Sequence, residues 1–183
     1  MDPETRPGND PAIVIGKLQN ATEAGICARM MASTEPWITL QRDHDAALKI
    51  ISDPVREVYD RGLKSVSDPA REVYVARSHN DIAGFIVLVM QGAFVGYIQS
   101  ICVAPEWRSK GIGSSLIAFA ERRIFNDSPN VFMCVSSFNP RAQRLYERLG
   151  YEVIGELKDY IVRGHSEILL RKSIGPRAEF EKR

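Results

Sequence analysis

A short loop with two closely spaced glycines lies between a strand-like run and an amphipathic helical pattern, and it constrains the fold more than any other segment. The loop spans residues 108–114, with Arg108 and Lys110 as cationic donors. Glycine accepts backbone angles closed to other residues and leaves room for a phosphate, and a helix N-terminus attracts anions. The residues of the helical stripe recur at helical spacing: Gly113, Leu116, Ile117, Ala120 and Ile124. The pattern therefore predicts a strand, a diphosphate-binding loop and a helix in succession.

Two other phosphate-binding loops do not fit this segment. A dinucleotide-binding loop would require a third glycine where Leu116 stands and an acidic residue at the end of the following strand, and neither is present. A Walker loop would require the sequence Gly-Lys-Ser/Thr, which the segment also lacks. Taken alone, the loop is equally compatible with a tight strand-to-helix turn that binds nothing.

A second motif follows, and the two together carry a family resemblance. The pattern Arg108-x-x-Gly111-x-Gly113 resembles the acyl-CoA-binding signature of the GNAT superfamily of N-acetyltransferases. Residues 139–151 read Asn-x-x-Ala-x-x-Leu-Tyr-x-x-x-Gly-Tyr and are similar to the corresponding run of the ribosomal-protein alanine acetyltransferases. The resemblance extends over residues 72–172. It implies an α/β (α+β) fold with a mixed, largely antiparallel central sheet, a splayed strand pair and flanking helices.

The resemblance also implies an activity, acetyl transfer from acetyl-CoA to a primary amine by direct attack in a ternary complex. It places the pantetheine arm along a strand and the diphosphate on the loop. The cofactor-binding residues implied in this way are Ile101, Cys102, Val103, Arg108, Ser109, Lys110, Gly111, Ile112, Gly113, Ser114, Asn139 and Tyr146. No acyl-cysteine at Cys102 is expected, because both substrates are bound at once and a small buried residue explains the position.

Tyr146 corresponds to the acid that protonates the departing thiolate in the family. A phenol with a pKa near ~10 suits a thiolate whose conjugate acid is near ~8.5. The alternative is a core tyrosine, since Ala142, Leu145 and Leu149 share its helical stripe. Asn139 also has an alternative interpretation as a helix N-cap, because Asn followed by proline is typical of the start of a helix.

The general base is where the chain departs from the pattern. Relatives carry a glutamate where this chain has Cys134, or a carboxylate near Tyr97, and neither position is charged here. Glu167 is our candidate catalytic base from the last hairpin, and His165 is a second. Gln99 and Tyr97 could instead orient a water. Exposed hairpin residues are the alternative interpretation of Glu167 and His165.

The acceptor is predicted from a difference in pKa. Holding a lysine amine neutral at pH 7 costs about 4.6 kcal/mol from a pKa of ~10.4, whereas an α-amine at ~7.8 costs about 1.1 kcal/mol. We therefore expect a peptide α-amine or a small-molecule amine of similarly low pKa. Carboxylates that could attract its cationic form are Glu35, Asp43, Asp45, Asp159 and Glu167. A non-catalytic acyl-CoA-binding sensor is the alternative, because the carboxylate expected at Cys134 is absent.

Composition excludes several other classes. The 183 residues carry a net charge of +1, which gives no reason to expect a nucleic acid or membrane partner. Three widely spaced cysteines and a start without an apolar signal segment predict a cytoplasmic protein without disulfides. Three scattered histidines predict no metal site. The sequence does not determine the oligomeric state, and a homodimer is one possibility.

One domain is predicted over residues 11–173, between disordered tails at 1–10 and 174–183. The sequence of residues 53–59 recurs at 68–74 with one difference, so residues 53–67 are interpreted as an inserted duplication. Helices are predicted at 22–32, 42–51 and behind the loop. The predicted strands are 13–18, 72–77, 82–90, 94–104, 131–136, 151–157 and 167–172.

Overall fold

The computed structural model describes residues 12–52 and 71–182. The helices there are α1 (Ala21–Ala32), α2 (His44–Ser52), α3 (Ile112–Ile124) and α4 (Pro140–Arg148). The strands are β1 (Ile13–Lys17), β2 (Arg71–Ser78), β3 (Asp81–Val89), β4 (Tyr97–Val103), β5 (Asn130–Ser136), β6 (Glu152–Lys158) and β7 (Ser166–Ser173). These elements confirm the mixed α/β class predicted from the sequence. No helix in the described ranges is long and apolar enough to cross a membrane.

The strands form one sheet in the order β1-β2-β3-β4-β5-β7-β6. Every neighbouring pair is antiparallel except β4 and β5, which are parallel. One core packs between the sheet and the helices α3 and α4, and a second packs between the sheet and the helices α1 and α2. The sheet is therefore covered by helices on both faces.

The predicted splayed pair is β4 and β5. Only two residue pairs join these strands, Tyr97 with Phe132 and Ile98 with Met133. Gln99 is an extra residue in β4, because Ile98 and Ser100 face consecutive residues of β3. Such a bulge bends a strand. Beyond it β4 continues along β3 alone, which opens a gap on its β5 side.

The sheet differs from the sequence prediction at the start of β4. Residues 94–96 were predicted to be strand, but the structure places them in the turn from β3, where Gly96 has φ +87° and its N–H donates to the carbonyl of Val89 at 3.1 Å. A side chain at this position would overlap Ile124 and would lie 2.6 Å from the carbonyl oxygen of Asn130. The turn therefore requires glycine for both conformation and space.

Replacing Gly96 by alanine is expected to lower the free energy of unfolding by about 2–4 kcal/mol, because backbone strain and overpacking each cost about 1–3 kcal/mol. Gly155→Ala is the matched control, since a Cβ at Gly155 meets nothing within 4 Å. Urea denaturation of the two variants measures the difference. Equal stability of both variants would contradict the packing described for the turn.

Two further predictions concern residues 53–67 and the C-terminal segment. The proposed duplication at 53–67 lies outside the described residues. The C-terminal segment, predicted as a frayed tail, contains a 3₁₀ helix at Arg177–Glu179, and the N–H of Ile174 donates to the carbonyl of Pro129 at 2.9 Å. This segment is therefore attached to the sheet at its beginning.

Candidate functional site

The glycine-containing loop forms an open N-terminus for helix α3. Ser109 and Gly111 have φ +63° and +80°, so the backbone curls before the helix begins. Gly111 is the N-cap and provides no side-chain cap, and the first turn of α3 holds no acidic residue. The N–H of Ser115 donates to the carbonyl of Gly111 at 2.9 Å, whereas no residue in the described ranges accepts from the N–H groups of residues 112–114. These donors and the positive helix end are suited to a phosphate.

Cationic side chains surround this loop. The guanidinium of Arg108 donates to the carbonyl of Val103 at 3.2 Å, and the Lys110 ammonium lies 4.9 Å from the centre of the Trp107 ring. Arg141, in the first turn of α4, donates to the hydroxyl of Ser109 at 2.9 Å. Arg141 was not among the residues predicted from the sequence, although its position two residues after the Asn139 cap was an available signal. Arginines from two elements therefore face the same loop.

A cleft of about 510 Å³ runs from this loop to helix α4. Its volume lies within the range of small-molecule sites. Of the predicted cofactor-binding residues, Lys110 is the one that does not line the cleft. The others line it together: Ile101, Cys102, Val103, Arg108, Ser109, Gly111, Ile112, Gly113, Ser114, Asn139 and Tyr146. The gap beside β4 thus exposes strand backbone to the same cleft that ends at the anion-binding loop.

Cys102 is a structural residue in this arrangement. Its side chain is 6% exposed, and its sulfur lies 3.4 Å from the hydroxyl of Thr34. Burial raises the pKa of the Cys102 thiol, so the reactive thiolate is disfavoured. That no acyl group is carried by this cysteine stays a prediction, and the burial and raised pKa of the thiol favour it.

Tyr146 stands at the inner end of the cleft. Asn139 caps helix α4 by accepting from the N–H of Ala142 at 3.2 Å, and Gly150, with φ +85°, follows its end. The Tyr146 side chain is buried, and within residues 12–52 and 71–182 its hydroxyl has no hydrogen-bond partner. Burial raises the pKa of Tyr146 to about 12. This phenol therefore remains protonated and is free to donate.

A second, smaller cavity of about 110 Å³ lies beyond Tyr146. It shares Pro36, Ile101, Asn139 and Tyr146 with the cleft. The two cavities are therefore adjacent, and Tyr146 is one of the residues that line both of them.

Glu167 provides the carboxylate of the second cavity. The alternative interpretation of Glu167 as an exposed hairpin residue is wrong, because β7 lies between β5 and β6 and leaves the side chain only 5% exposed. The hydroxyl of Ser136 donates to Glu167 Oε1 at 2.6 Å. Burial raises the pKa of Glu167, and this hydrogen bond partly opposes the shift. A buried carboxylate of raised pKa is suited to proton transfer near neutral pH.

The other acidic candidates lie elsewhere. Asp43 caps helix α2 by accepting from the N–H of Ala46 at 2.8 Å, and Asp159 accepts from the N–H of Gly164 at 2.6 Å in the β6–β7 turn. Asp45 pairs with its neighbour His44 at 3.3 Å, and Glu35 lines the cleft. Of the five predicted carboxylates, only Glu167 lines the second cavity.

The remaining candidates for the base do not supply a charge. His165 packs against Phe138 with the rings tilted by 59° and their centres 4.8 Å apart, and it does not line the cavity. Tyr97 and Cys134 line it, but burial raises the pKa of both groups. Gln99 Oε1 is buried in the lining without a hydrogen-bond partner among the described residues. In the same ranges no three His, Cys, Asp or Glu side chains come together in a metal-binding group.

Comparisons with known proteins agree with the sequence motifs. The Acetyltransferase (GNAT) family model matches residues 34–151 of this chain. The N-alpha-acetyltransferase of Saccharolobus solfataricus is 26% identical over 113 residues, which are 55% of this chain and 68% of the relative.

Solved structures share the fold. A GNAT-family protein of Desulfovibrio desulfuricans superposes with a TM-score of 0.70 at 21% identity, covering 90% of this chain and 100% of its own. The ribosomal-protein-S18-alanine N-acetyltransferase of Escherichia coli does so with a TM-score of 0.63 at 15% identity, covering 92% of this chain and 97% of its own. These likenesses confirm the fold expected from the two motifs.

Proposed function

The chain belongs to the GNAT acetyltransferase family, and on that basis we propose that it transfers the acetyl group of acetyl-CoA to the α-amine of a polypeptide. The observation that carries the proposal is the meeting of the two cavities at Tyr146, with the single carboxylate of Glu167 in the smaller one. The cleft suits the donor, and the smaller cavity suits the amine. The main reason to consider a non-catalytic sensor was that Cys134 stands where relatives carry a carboxylate. Glu167 weakens that reason, because it brings a carboxylate to the cavity that Cys134 also lines.

The residues of the cleft fit the donor. The free N–H groups of residues 112–114, the guanidiniums of Arg108 and Arg141 and the open space above Gly111 would hold its diphosphate. The unpaired β5 side of β4 at residues 101–103 would hold its pantetheine arm. The bound donor supplies an activated acetyl thioester, and strand backbone beside it would orient the carbonyl for attack.

Two side chains divide the proton transfers between them. Glu167, when ionised, accepts a proton from the acceptor amine, directly or through one water, and so maintains the neutral nucleophile. Tyr146 donates its phenolic proton to the departing thiolate. Two observations support this role: Tyr146 lines both cavities, and its hydroxyl has no hydrogen-bond partner among the described residues. The neutral amine attacks the thioester carbonyl directly while both substrates are bound, the carbon–sulfur bond breaks, and the proton that the nitrogen loses as the amide forms replaces the one that Tyr146 gives to the thiolate.

The α-amine is favoured by free energy and by a relative. An α-amine with a pKa near ~7.8 requires about 3.5 kcal/mol less than a lysine side chain to become neutral at pH 7. One buried carboxylate is therefore a sufficient base. The relative from Saccharolobus solfataricus is named an N-alpha-acetyltransferase, which supports the same acceptor.

A direct test compares two peptides of one sequence. One has a free N-terminus and no lysine, and the other has a blocked N-terminus and one lysine. We expect kcat/KM to be about 10²-fold higher for the free N-terminus, following the difference in pKa. Free thiol release measures turnover, and mass spectrometry locates the acetyl group. Faster acetylation of the lysine peptide would overturn the α-amine proposal.

A further inference from the structure

We propose that the acceptor polypeptide begins with an apolar residue whose side chain fills the cavity beside Glu167. This inference rests on the proposed function and deepens it, because it specifies which N-termini the site accepts. Three observations on the cavity carry it: its charge, its size and the apolar side chains at its mouth.

The cavity contains one charge. Among the residues that the structure describes, its lining holds no charged side chain besides Glu167. Asp43 and Asp159, in neighbouring turns, accept hydrogen bonds from backbone N–H groups. A single carboxylate complements a single ammonium or amine. Polyamines and aminoglycosides carry several cationic groups, and burying an unpaired cation in this lining would be unfavourable. The charge pattern therefore selects an acceptor with one amine on an uncharged body.

The cavity is small and largely apolar. Its volume of about 110 Å³ lies below the ~300–1,000 Å³ of sites for drug-sized ligands, so it admits about one side chain with its amine. Apolar side chains from four parts of the fold, the α1–α2 connection, β4, β5 and the β6–β7 turn, line it: Trp37, Leu40, Tyr97, Met133, Tyr160 and Ile161. Burial of an apolar side chain against these groups is favourable, whereas a charged one would lose its hydration.

The mouth of the cavity has exposed apolar side chains. Tyr160 and Ile161, in the β6–β7 turn, are 66% and 38% exposed and line the cavity. A peptide entering there would cover them. Gln99 Oε1, buried in the same lining without a described partner, would accept a hydrogen bond from a peptide N–H. The cavity thus offers contacts to an amine, an apolar side chain and a backbone amide, which are adjacent groups at an N-terminus.

The test uses one peptide sequence with leucine, methionine, alanine, aspartate or lysine at the first position. We expect kcat/KM for leucine or methionine to exceed that for aspartate or lysine by about tenfold or more. In the Ile161→Glu variant, kcat/KM should rise for the lysine-first peptide and fall for the leucine-first peptide, each by about threefold or more. Tyr160→Glu is the second variant at the mouth and should shift preference in the same direction.

Val153→Glu is the matched control. Val153 is 67% exposed on β6, in the same hairpin, and lines neither cavity. It should keep the wild-type preference. Equal rates across the panel, or the same preference in Ile161→Glu, Tyr160→Glu and Val153→Glu, would overturn this inference and leave the α-amine proposal standing. Acetylation of lysine side chains or polyamines with none of any free N-terminus would instead overturn the proposed function itself.

Discussion

Replacement of Glu167 by glutamine is expected to lower kcat for peptide acetylation by about 10²–10⁴-fold, the range typical of a lost general base. Glutamine keeps the size of the side chain and an oxygen that accepts from the hydroxyl of Ser136, which now lies 2.6 Å from Glu167 Oε1. The substitution therefore removes the proton acceptor with little change to the packing. Acetyl-CoA affinity should change by less than about threefold, because Glu167 lies in the other cavity.

The pH dependence distinguishes a base from a structural carboxylate. Burial raises the pKa of Glu167 above its ordinary value of ~4.3, and only the ionised form accepts a proton. The wild-type rate should therefore rise with pH as this raised pKa is passed. In the Glu167→Gln variant this rise in rate, the acidic limb of the pH profile, is absent. The remaining increase in rate follows deprotonation of the acceptor amine, whose pKa is ~7.8.

The same shift gives a stability readout of opposite sign. Because the pKa of Glu167 is higher in the folded protein, the folded state binds the proton more tightly than the unfolded chain. Protonation of Glu167 therefore stabilises the folded protein. This contribution is complete below the pKa that Glu167 has in the unfolded chain, and it is lost as pH rises through the higher pKa that it has in the folded protein. Glutamine does not titrate, so Glu167→Gln should gain stability relative to wild type between pH 4 and pH 8, as measured by urea denaturation at both values.

Glu156→Gln is the control for Glu167, since Glu156 is an exposed carboxylate on β6 outside both cavities. It should retain wild-type kcat and pH profile. An unchanged kcat in Glu167→Gln would remove Glu167 from the chemistry. A fall in kcat that comes with an unaltered acidic limb would indicate that Glu167 acts only through packing.

The elements that could be predicted from sequence are those whose signals are local. Helix α4 is bounded by the Asn139 cap and by Gly150, and both signals are contained within residues 139–151. Helix α3 follows its apolar stripe with one difference: the stripe begins at the buried Ile112, whereas Gly113, which was assigned to it, is only half-buried. The loop and helix signals thus located most of the cleft, because the cleft is built from neighbours in sequence.

The second cavity could not be predicted in this way, because distant segments build it. The alternation of residues around Glu167 does not reveal that β7 is inserted between β5 and β6, and that strand order is what buries the carboxylate. Trp37 and Tyr160 reach the same cavity from opposite ends of the chain. The sequence left the base open, and long-range packing is the reason for proposing Glu167.

Replacement of Tyr146 by phenylalanine is expected to lower kcat by about 10²-fold or more and to leave acetyl-CoA affinity within about threefold of wild type. The lost hydroxyl is the proposed proton donor to the departing thiolate. Burial raises its pKa to about 12, so the wild-type phenol carries its proton at neutral pH, whereas phenylalanine has no proton to give. Because the hydroxyl has no partner in the described structure, its removal leaves no other group unpaired. Stopped-flow thiol release and titration calorimetry measure the two effects separately.

Tyr151→Phe provides the matched control for Tyr146. The two rings pack edge to face with centres 6.1 Å apart, and both side chains are buried, but Tyr151 lines neither cavity. Its loss of a hydroxyl should leave kcat within about twofold of wild type. A decrease in Tyr146→Phe that is confined to acetyl-CoA affinity would make the phenol a binding group. Equal decreases in kcat for both variants would show that the two hydroxyls act only through packing in the core. Both tyrosines are buried, but only Tyr146 lines the two cavities.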